Sequence, residues 1–281
     1  MKMEKHSQED IAQFLKKSEL VVIKVGTSTL THSNGKLNLN RMEQLTRQVA
    51  DMSNAGRHVI LVTSAAVGAG MGKMGLAQKP AVIAQKQALA SIGQGLLMQV
   101  YEKIFAEYGI IVSQILLTRE DFSHRERYLN ARNTLYALFH YGVVPIINEN
   151  DTIAFDEIKL GDNDTLAGLV AGLVGADLLV LLSDIDGLYT ADPRKNPDAT
   201  LIPVVEELTD EIIAAGGSAG SSLGTGGMYT KLAAARIAGN QGIPMVLMNG
   251  DHPADLQSLW QGHCPGTIFL PKEHKLVGRK G

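Results

Sequence analysis

Six short, almost continuous apolar runs recur along the chain and constrain its fold more than any other feature. Each is rich in Val, Ile or Leu and ends near turn-forming residues, which is typical of strands buried on both faces of a parallel sheet. The runs are LVVIKV (20–25), HVILV (58–62), IIVSQILL (110–117), VVPII (143–147), DLLVLL (177–182) and IPMVLM (243–248). Segments with helical periodicity separate them, at 40–55, 80–108, 125–141, 163–174 and 228–241. This alternation predicts an α/β protein, a three-layer sandwich with a largely parallel central sheet.

The domain organisation is simple, because the 281 residues contain no internal repeat and no low-complexity linker. A chain of this length folds as one large α/β domain or two small ones. We predict two lobes that share one sheet, residues 20–175 and residues 176–281, after an extension at residues 1–19. Turn-forming residues are densest at 184–203, where we expect a small hairpin.

The amino-terminal extension is charged and lacks the apolar stretch of a signal peptide. Ser7 is predicted to cap a short amphipathic helix with Ile11, Phe14 and Leu15 on one face. No apolar run elsewhere reaches membrane-spanning length. The single cysteine, Cys264, cannot form an internal disulfide, so the chain does not depend on an oxidising compartment. We therefore expect a cytoplasmic protein with no membrane partner.

The net charge argues against nucleic acid as a ligand, and the spacing of possible metal ligands argues against a metal site built from side chains. The formal net charge is −3, which implies no broad basic surface and argues against nucleic acid as a ligand. The eight histidines show no metal-ligand spacing. The segment 162–168 begins like a calcium loop but has Leu166 at an acidic position. No residue is therefore assigned as a metal ligand.

A glycine pattern at Gly70, Gly72 and Gly75 matches the G-x-G-x-x-G of dinucleotide-binding proteins. That pattern also needs an acidic residue about 20 positions later to bind the ribose. From Lys73 to Tyr101 the chain has no Asp or Glu, so the dinucleotide interpretation is rejected. We predict instead a flexible glycine-rich loop that covers a site. The P-loop sequence G-x-x-x-x-G-K-[ST] is absent.

The residues that directly follow the apolar runs are small, polar or glycine. In chain order they read GTSTL, TSAAVGAGMG, TRED, NEND, SDIDG and NG. In open α/β sheets, ligands bind beyond the carboxyl ends of the strands. The sequence therefore predicts a binding site at this edge of the sheet.

Two lysines occupy positions that are unfavourable for a positive charge unless an anion binds there. Lys24 interrupts the first apolar run and precedes the residues GTS, whose backbone N–H groups could help to hold phosphate. The alternative is a lysine on an edge strand that reaches water. Lys231 ends the glycine-rich GTGGMYTK (224–231), in the first turn of the predicted helix 228–241. A helix dipole disfavours a cation there, which favours a ligand contact over the alternative of an exposed lysine.

Acidic and amide side chains cluster in INENDT (147–152) and GDNDTLAGLVAGL (161–173). Capping of the helix that follows needs only one of them. We interpret the cluster as a site that binds a charged amine and orients the lysines. Its members are Asn148, Asn150, Asp151, Asp162, Asn163 and Asp164. For Ser183 and Asp184, after the fifth run, nucleotide contact and a plain β-turn are equally compatible with the sequence.

Seven segments give the chain a resemblance to the amino-acid kinase family, from about Leu20 to about Leu270. They are VVIKVGTSTL, VTSAAVGAG, LLTREDFSHRERYLNARNTL, VVPIINENDT, IKLGDNDTLA, LLSDIDGLYTADPRKNP and GTGGMYTKLAAA. The combination of NEND, GDND and GTGGM-x-TK resembles that of one group of family members. These members use ATP to phosphorylate the γ-carboxylate of L-glutamate, in the first step of proline synthesis. The resemblance therefore implies the amino-acid kinase fold and this activity.

The resemblance also implies roles for individual residues. Lys24 and Lys231 would stabilise the transferring phosphoryl group, and Asp164 would orient both lysines. Glutamate would be bound in the lobe 20–175, by Ser64, Asn148, Asp151 and Asn163. ATP would be bound mainly in the lobe 176–281, by Lys24, Ser183, Asp184, Thr225, Gly226, Gly227, Met228 and Lys231. Mg²⁺ would accompany ATP, proline would act as a feedback inhibitor, and the chain would form a homo-oligomer, a dimer or tetramer.

Two features depart from the family pattern. The chain has Thr-Ser-Ala-Ala at 63–66 where the family usually has Thr-Ser-Gly-Ala, which puts a methyl group at Ala65 in a tight loop near the substrate. Many members also carry a carboxyl-terminal PUA domain. We expect this chain to lack that domain, naturally or by truncation.

The implied chemistry suits these residue types. A glutamate carboxylate is already ionised at neutral pH, so no general base is needed to activate it. The obstacle is repulsion between two anions, which lysines, a metal ion and backbone amides reduce. Two alternatives stay open: another carboxylate or phosphate kinase of this fold, and a non-catalytic module that senses an amino acid.

Overall fold

The computed structural model describes residues 7–154, 163–210, 212–213 and 227–271. Its strands are β1 (Leu20–Val25), β2 (His58–Val62), β3 (Val112–Leu117), β4 (Val144–Glu149), β5 (Leu178–Ser183), β6 (Val204–Val205), β7 (Met245–Asn249) and β8 (Thr267–Phe269). Its α-helices are α1 (Gln8–Lys17), α2 (Thr27–Leu30), α3 (Leu39–Asn54), α4 (Ala66–Met74), α5 (Ile83–Glu107), α6 (Arg119–Ser123), α7 (Arg125–His140), α8 (Asn163–Val174), α9 (Met228–Gly239) and α10 (Leu256–Trp260), the last preceded by a 3₁₀ turn at Pro253–Asp255. The predicted strands and helices are all present, with boundaries that differ by at most three residues.

The strands form one sheet in the order β3-β4-β2-β1-β5-β7-β8-β6. The six predicted strands are parallel to one another, whereas β8 runs antiparallel to β7 and pairs in parallel with β6. The predicted largely parallel sheet is therefore confirmed. Strands β6 and β8 were not predicted, because two and three residues are too few to show a period.

Helices cover both faces of the sheet, which confirms the three-layer sandwich. On one face, Val21 and Ile23 of β1 pack in a cluster with residues of α1, α3, α4 and α5. On the other face, Val22 packs in a cluster with residues of α7, α8 and α9. Strands buried on both faces read as continuous apolar runs, which is why the sequence revealed them. None of the described helices combines the length and hydropathy needed to cross a bilayer.

Two smaller predictions are also confirmed. Ser7 caps α1 through a reciprocal capping box with Asp10, and the helix buries Ile11 and Leu15 with Phe14 partly buried beside them. In the turn-rich region after β5, Tyr189 and Leu201 form an isolated antiparallel bridge, the pairing of a small hairpin.

The glycine-rich segment is helical, so the predicted flexible loop is wrong. Gly70 and Gly72 lie inside α4, and Gly75 ends the helix with φ +69°. A Cβ atom on Gly70 would overlap the carbonyl oxygen of Leu89 in α5, and one on Gly93 of α5 would overlap that of Ala66. These glycines allow two helix backbones to touch.

Candidate active site

Lys24, Asp164 and Lys231 meet near the carboxyl end of β1. The Nζ atom of Lys24 lies 2.6 Å from Oδ1 of Asp164, and Nζ of Lys231 lies 3.1 Å from Oδ2. All three residues are buried, with 4%, 0% and 5% of their surface exposed. Two ammonium groups from distant parts of the sequence therefore converge on one carboxylate.

The fold explains this convergence. β1 lies between β2 and β5, so the alternative of Lys24 as an edge-strand lysine that reaches water is wrong. Because side chains alternate along a strand, Lys24 points to the same face as Val22, the face covered by α8 and α9. Asp164 lies in the first turn of α8, and Lys231 lies in the first turn of α9. Both helices thus present their amino-terminal turns to the end of β1.

The electrostatics of this cluster favour an anionic ligand. Burial raises the pKa of Asp164, but the charges of Lys24 and Lys231 outweigh it and lower the pKa from 3.8 to about 2. The amino-terminal end of α8 adds a favourable dipole. Asp164 is therefore ionised at neutral pH, and the three side chains together carry one net positive charge.

The start of α9 adds neutral donors to the cluster. The Thr230 hydroxyl lies 3.0 Å from Oδ2 of Asp164 and 2.9 Å from the carbonyl oxygen of Gly227. Gly227 precedes the helix without a side-chain cap, and a Cβ atom there would meet none of the described residues within 4 Å. The space beside Gly227 and the uncapped first turn from Met228 together suit an approaching anion. Thr225 and Gly226, with Asp162, lie outside the described residues.

Three of the predicted substrate-binding residues lie together at the ends of β2, β4 and α8. The Asn163 Nδ2 group lies within hydrogen-bond distance of three acceptors and shares its two hydrogens among them. These acceptors are the carbonyl oxygen of Thr63, Oγ of Ser64 at 3.2 Å and Oδ1 of Asn148 at 2.8 Å. The fourth residue, Asp151, lies in the turn after β4 and is partly exposed.

Ala65 adopts the backbone conformation that favours glycine. Its φ is +77° and its ψ is 7°, and among the described residues it is the one non-glycine residue with positive φ. The left-handed conformation costs an L-residue about 1–2 kcal/mol. The tight turn between β2 and α4 therefore forms with alanine at position 65, but the backbone of Ala65 is strained.

Ser183 and Asp184 lie at the end of β5, at the same edge of the sheet as Lys24. Ser183 is buried, and its hydroxyl donates to Oδ1 of Asp184 at 3.0 Å. Asp184 itself is exposed. Within the ranges that the structure describes, no three His, Cys, Asp or Glu side chains are grouped as a metal centre would require.

Sequence reasoning missed two side chains that join this hydrogen-bond network, Gln94 and Tyr101, and it included Thr230 only as part of the glycine-rich segment 224–231. Gln94 accepts a hydrogen bond from Nδ2 of Asn148 at 2.8 Å. The Tyr101 hydroxyl lies 2.9 Å from Oγ1 of Thr63, and burial raises the pKa of Tyr101 above its ordinary value. Both lie among the buried residues of α5, so a glutamine at a core position of the helical period was the available signal.

Comparisons with known proteins show the family to which the chain is related. Residues 19–249 match the model of the amino acid kinase family. A glutamate 5-kinase of Moorella thermoacetica is 57% identical over 95% of this chain and 70% of its own length. A glutamate 5-kinase of Clostridium acetobutylicum is 52% identical over 92% of this chain and 97% of its own length. Among solved structures, an isopentenyl phosphate kinase of T. acidophilum has the same fold, with a TM-score of 0.62 and 17% identity over 89% of this chain and 99% of its own.

Proposed function

Because the chain belongs to the amino acid kinase family and, within it, to the glutamate 5-kinases, we propose that it phosphorylates L-glutamate. The phosphoryl group of ATP passes to the γ-carboxylate and gives L-glutamyl 5-phosphate. The observation that carries this proposal is the buried Asp164 carboxylate, which binds Lys24 through one oxygen and Lys231 through the other.

This arrangement suits transfer between two anions. The acceptor carboxylate is ionised at neutral pH, so it attacks without a general base. The main barrier is its repulsion from the nucleotide phosphates, which positive charge held close to the transferring group reduces. Lys24 and Lys231 supply that charge, and Asp164 holds both ammonium groups in place before ATP arrives. We infer that the lysines contact the phosphoryl oxygens while Asp164 orients them.

Lys24, Asp164 and Lys231 form a charge centre. We assign glutamate to the polar side chains next to it. Ser64, Asn148 and Asn163 already lie within one hydrogen-bond network, which supports a common ligand. A carboxylate at Asp151 suits the substrate ammonium group. The amino acid would then lie over the ends of β2 and β4, within the predicted lobe 20–175.

We assign ATP to the lobe formed by residues 176–281. Ser183 and Asp184 at the end of β5, together with segment 225–231 at the start of α9, would bind the nucleotide. Mg²⁺ would accompany it and neutralise phosphate charge. Mg²⁺ usually takes one or two carboxylates and completes its shell with phosphate oxygens and water. The exposed carboxylate of Asp184 is compatible with that, and a dedicated protein cage is not required.

The cellular role follows from the same activity. We propose that the reaction is the first step of proline biosynthesis in the cytoplasm, with proline as a feedback inhibitor of a dimeric or tetrameric enzyme. The family resemblance supports these points.

Acyl-phosphate formation tests the activity directly. The protein is incubated with ATP, Mg²⁺ and L-glutamate, and the product is trapped with hydroxylamine as the hydroxamate, with and without proline. Hydroxamate should form with glutamate and only at background level with L-aspartate or without ATP. Turnover of another carboxylate or phosphate acceptor in place of glutamate would assign a different kinase activity, and absence of any turnover would leave an amino-acid-sensing module.

A further inference from the structure

Three carboxamide side chains form a row across the sheet beside the charge centre. Gln94 Oε1 accepts from Nδ2 of Asn148 at 2.8 Å, and Oδ1 of Asn148 accepts from Nδ2 of Asn163 at 2.8 Å. Gln94 lies on α5, Asn148 ends β4 and Asn163 begins α8. Helices α5 and α8 pack on opposite faces of the sheet, so the row joins both helical layers through β4.

The row has one direction, which the central amide fixes. Oδ1 of Asn148 accepts from Asn163 and also from the backbone N–H of Glu149 at 2.9 Å. Its Nδ2 group must therefore face Gln94, and Gln94 must meet it with Oε1. Turning either amide over would bring two NH₂ groups, or two carbonyl oxygens, face to face.

Gln94 keeps this orientation although it leaves a donor unused. Its Nε2 group is buried and has no hydrogen-bond partner among the described residues, while the residue as a whole is 8% exposed. Burying an unpaired donor costs free energy. The site therefore favours the bond from Oε1 to Asn148 over satisfaction of Gln94 itself. Because Nε2 is shielded from solvent, Gln94 acts on its neighbours rather than on a ligand.

The direction of the row decides which hydrogen-bonding groups Asn163 and Ser64 can present to a ligand. Asn163 turns Nδ2 inward, toward Asn148, Ser64 and the backbone of Thr63. Its Oδ1 is thereby left on the opposite side as an acceptor. Ser64 accepts from Asn163, which leaves the hydroxyl hydrogen of Ser64 to donate. The Oδ1 acceptor of Asn163 and the hydroxyl donor of Ser64 are groups of the kinds that bind an ammonium and a carboxylate, respectively.

We propose that Gln94 is a positioning residue for the amino-acid substrate. Its Oε1 atom holds Asn148, and through Asn148 it fixes the amide of Asn163 and the hydroxyl of Ser64 in the orientation that receives the substrate. The proposal rests on glutamate as the ligand, as proposed above. The residue before Gln94, Gly93, packs closely on the backbone of Ala66 in α4.

The proposed effect of Gln94 passes through Asn148 to the substrate-binding groups, and we call this path the relay. A double-mutant cycle on glutamate binding tests it. Calorimetry measures the Kd of glutamate and of a non-hydrolysable ATP analogue for the parent, Gln94→Met, Asn148→Leu and the double variant. Gln94→Met should weaken glutamate binding about tenfold and change nucleotide binding less than twofold. Because Gln94 acts through Asn148, the double variant should bind glutamate as Asn148→Leu does. Gln99→Met, at an exposed position of the same helix, is the matched control and should bind both ligands as the parent does.

Additive effects of the two substitutions would overturn the relay, as would parental glutamate affinity in Gln94→Met. Gln94→Glu, which keeps an oxygen for the Asn148 amide, gives a second reading even if Gln94→Met does not fold. It should retain most of the parental affinity, and a tenfold loss there would also count against the relay. If the parent binds glutamate yet forms no hydroxamate, the proposed activity fails while the relay is still read from binding. If the parent binds no glutamate, both proposals fall.

Discussion

Lys24 and Lys231 bind opposite oxygens of the same buried carboxylate, that of Asp164, at 2.6 Å and 3.1 Å. One lysine comes from the central strand β1 and the other from the first turn of α9. Both ammonium groups contact one carboxylate, although like charges repel. The negative charge of Asp164 offsets that repulsion, which allows two lysines to be buried in one cluster.

Removing either lysine should abolish most of the activity. Lys24→Ala and Lys231→Ala should each lower kcat by a factor on the order of 10³, because each deletes positive charge beside the transferring phosphoryl group. The hydroxamate assay measures kcat, and circular dichroism checks the fold. Lys103→Ala, at an exposed position of α5, is the control and should keep parental kcat. A near-normal kcat in both site variants would remove the roles assigned to them.

Asp164→Asn should be strongly destabilising at pH 7. The substitution leaves two buried ammonium groups without their shared carboxylate, and breaking a buried ion pair in this way costs about 3–5 kcal/mol. Urea denaturation measures the free energy of unfolding. Asp198→Asn, in an exposed turn, should change it by less than about 0.5 kcal/mol. Equal stability of the two variants would show that Asp164 does not hold the cluster together.

The contribution of Asp164 should also depend on pH. Its pKa is lowered from 3.8 to about 2, so the ionised form stabilises the folded state fully above pH 3.8 and loses this effect as the pH falls toward 2. The stability difference between the parent and Asp164→Asn should therefore shrink by about 2 kcal/mol between pH 5 and pH 2. A difference that stays constant over this range would mean that the folded-state pKa is not lowered.

Ala65→Gly should stabilise the protein. Glycine adopts the observed φ of +77° without strain, which recovers about 1–2 kcal/mol. Its greater freedom in the unfolded chain returns about 0.4–1 kcal/mol, so the net gain should be roughly 0.5–1 kcal/mol. Urea denaturation checks this, with Ala69→Gly inside α4 as the control that should lose about 1 kcal/mol. A loss of stability at position 65 would show that the turn is not strained.

Gly93→Ala should disturb both stability and glutamate binding. A Cβ atom there would overlap the carbonyl oxygen of Ala66, so α5 must move away from α4 and carry Gln94 with it. We expect a loss of about 1–3 kcal/mol in stability and a raised KM for glutamate. Gly95→Ala is the matched control on the same helix, where an added Cβ meets no atom of the described part of the chain within 4 Å, and it should be neutral or stabilising. Similar behaviour of the two variants would contradict the close helix contact.

Asp151→Ala should chiefly raise the KM for glutamate, because we assign its carboxylate to the substrate ammonium group. Steady-state kinetics with each substrate varied in turn separate the two KM values. Asp198→Ala serves as the control for the loss of one negative charge. If the KM for ATP rises while that for glutamate is unchanged, Asp151 belongs to the nucleotide site.

The sequence revealed those candidate residues whose charge is unusual for their position in a strand or helix. Lys24 inside an apolar run and Lys231 at a helix start both demanded an anion, and the structure brings both to Asp164. It was a poor guide to the glycines of α4. Their spacing suggested a loop, but helix packing selects glycine for the same lack of a side chain that loops do. Gln94 gave no motif at all, because its importance comes from a single bond to Asn148.

The residue pattern was enough to predict the α/β class, six of the eight strands and the longer helices, and it also predicts a binding site at the carboxyl edge of the sheet. It could do so because burial on both faces of a strand, or on one face of a helix, repeats with a period that neighbouring residues reveal. The family resemblance implied that Asp164 orients both lysines, but only the folded chain shows the contacts themselves: one oxygen of Asp164 on each lysine, Gln94 on Asn148, and Ala65 at positive φ. Such contacts join elements far apart in the chain, and distances between those elements are set by the packing of whole layers, which no local pattern encodes.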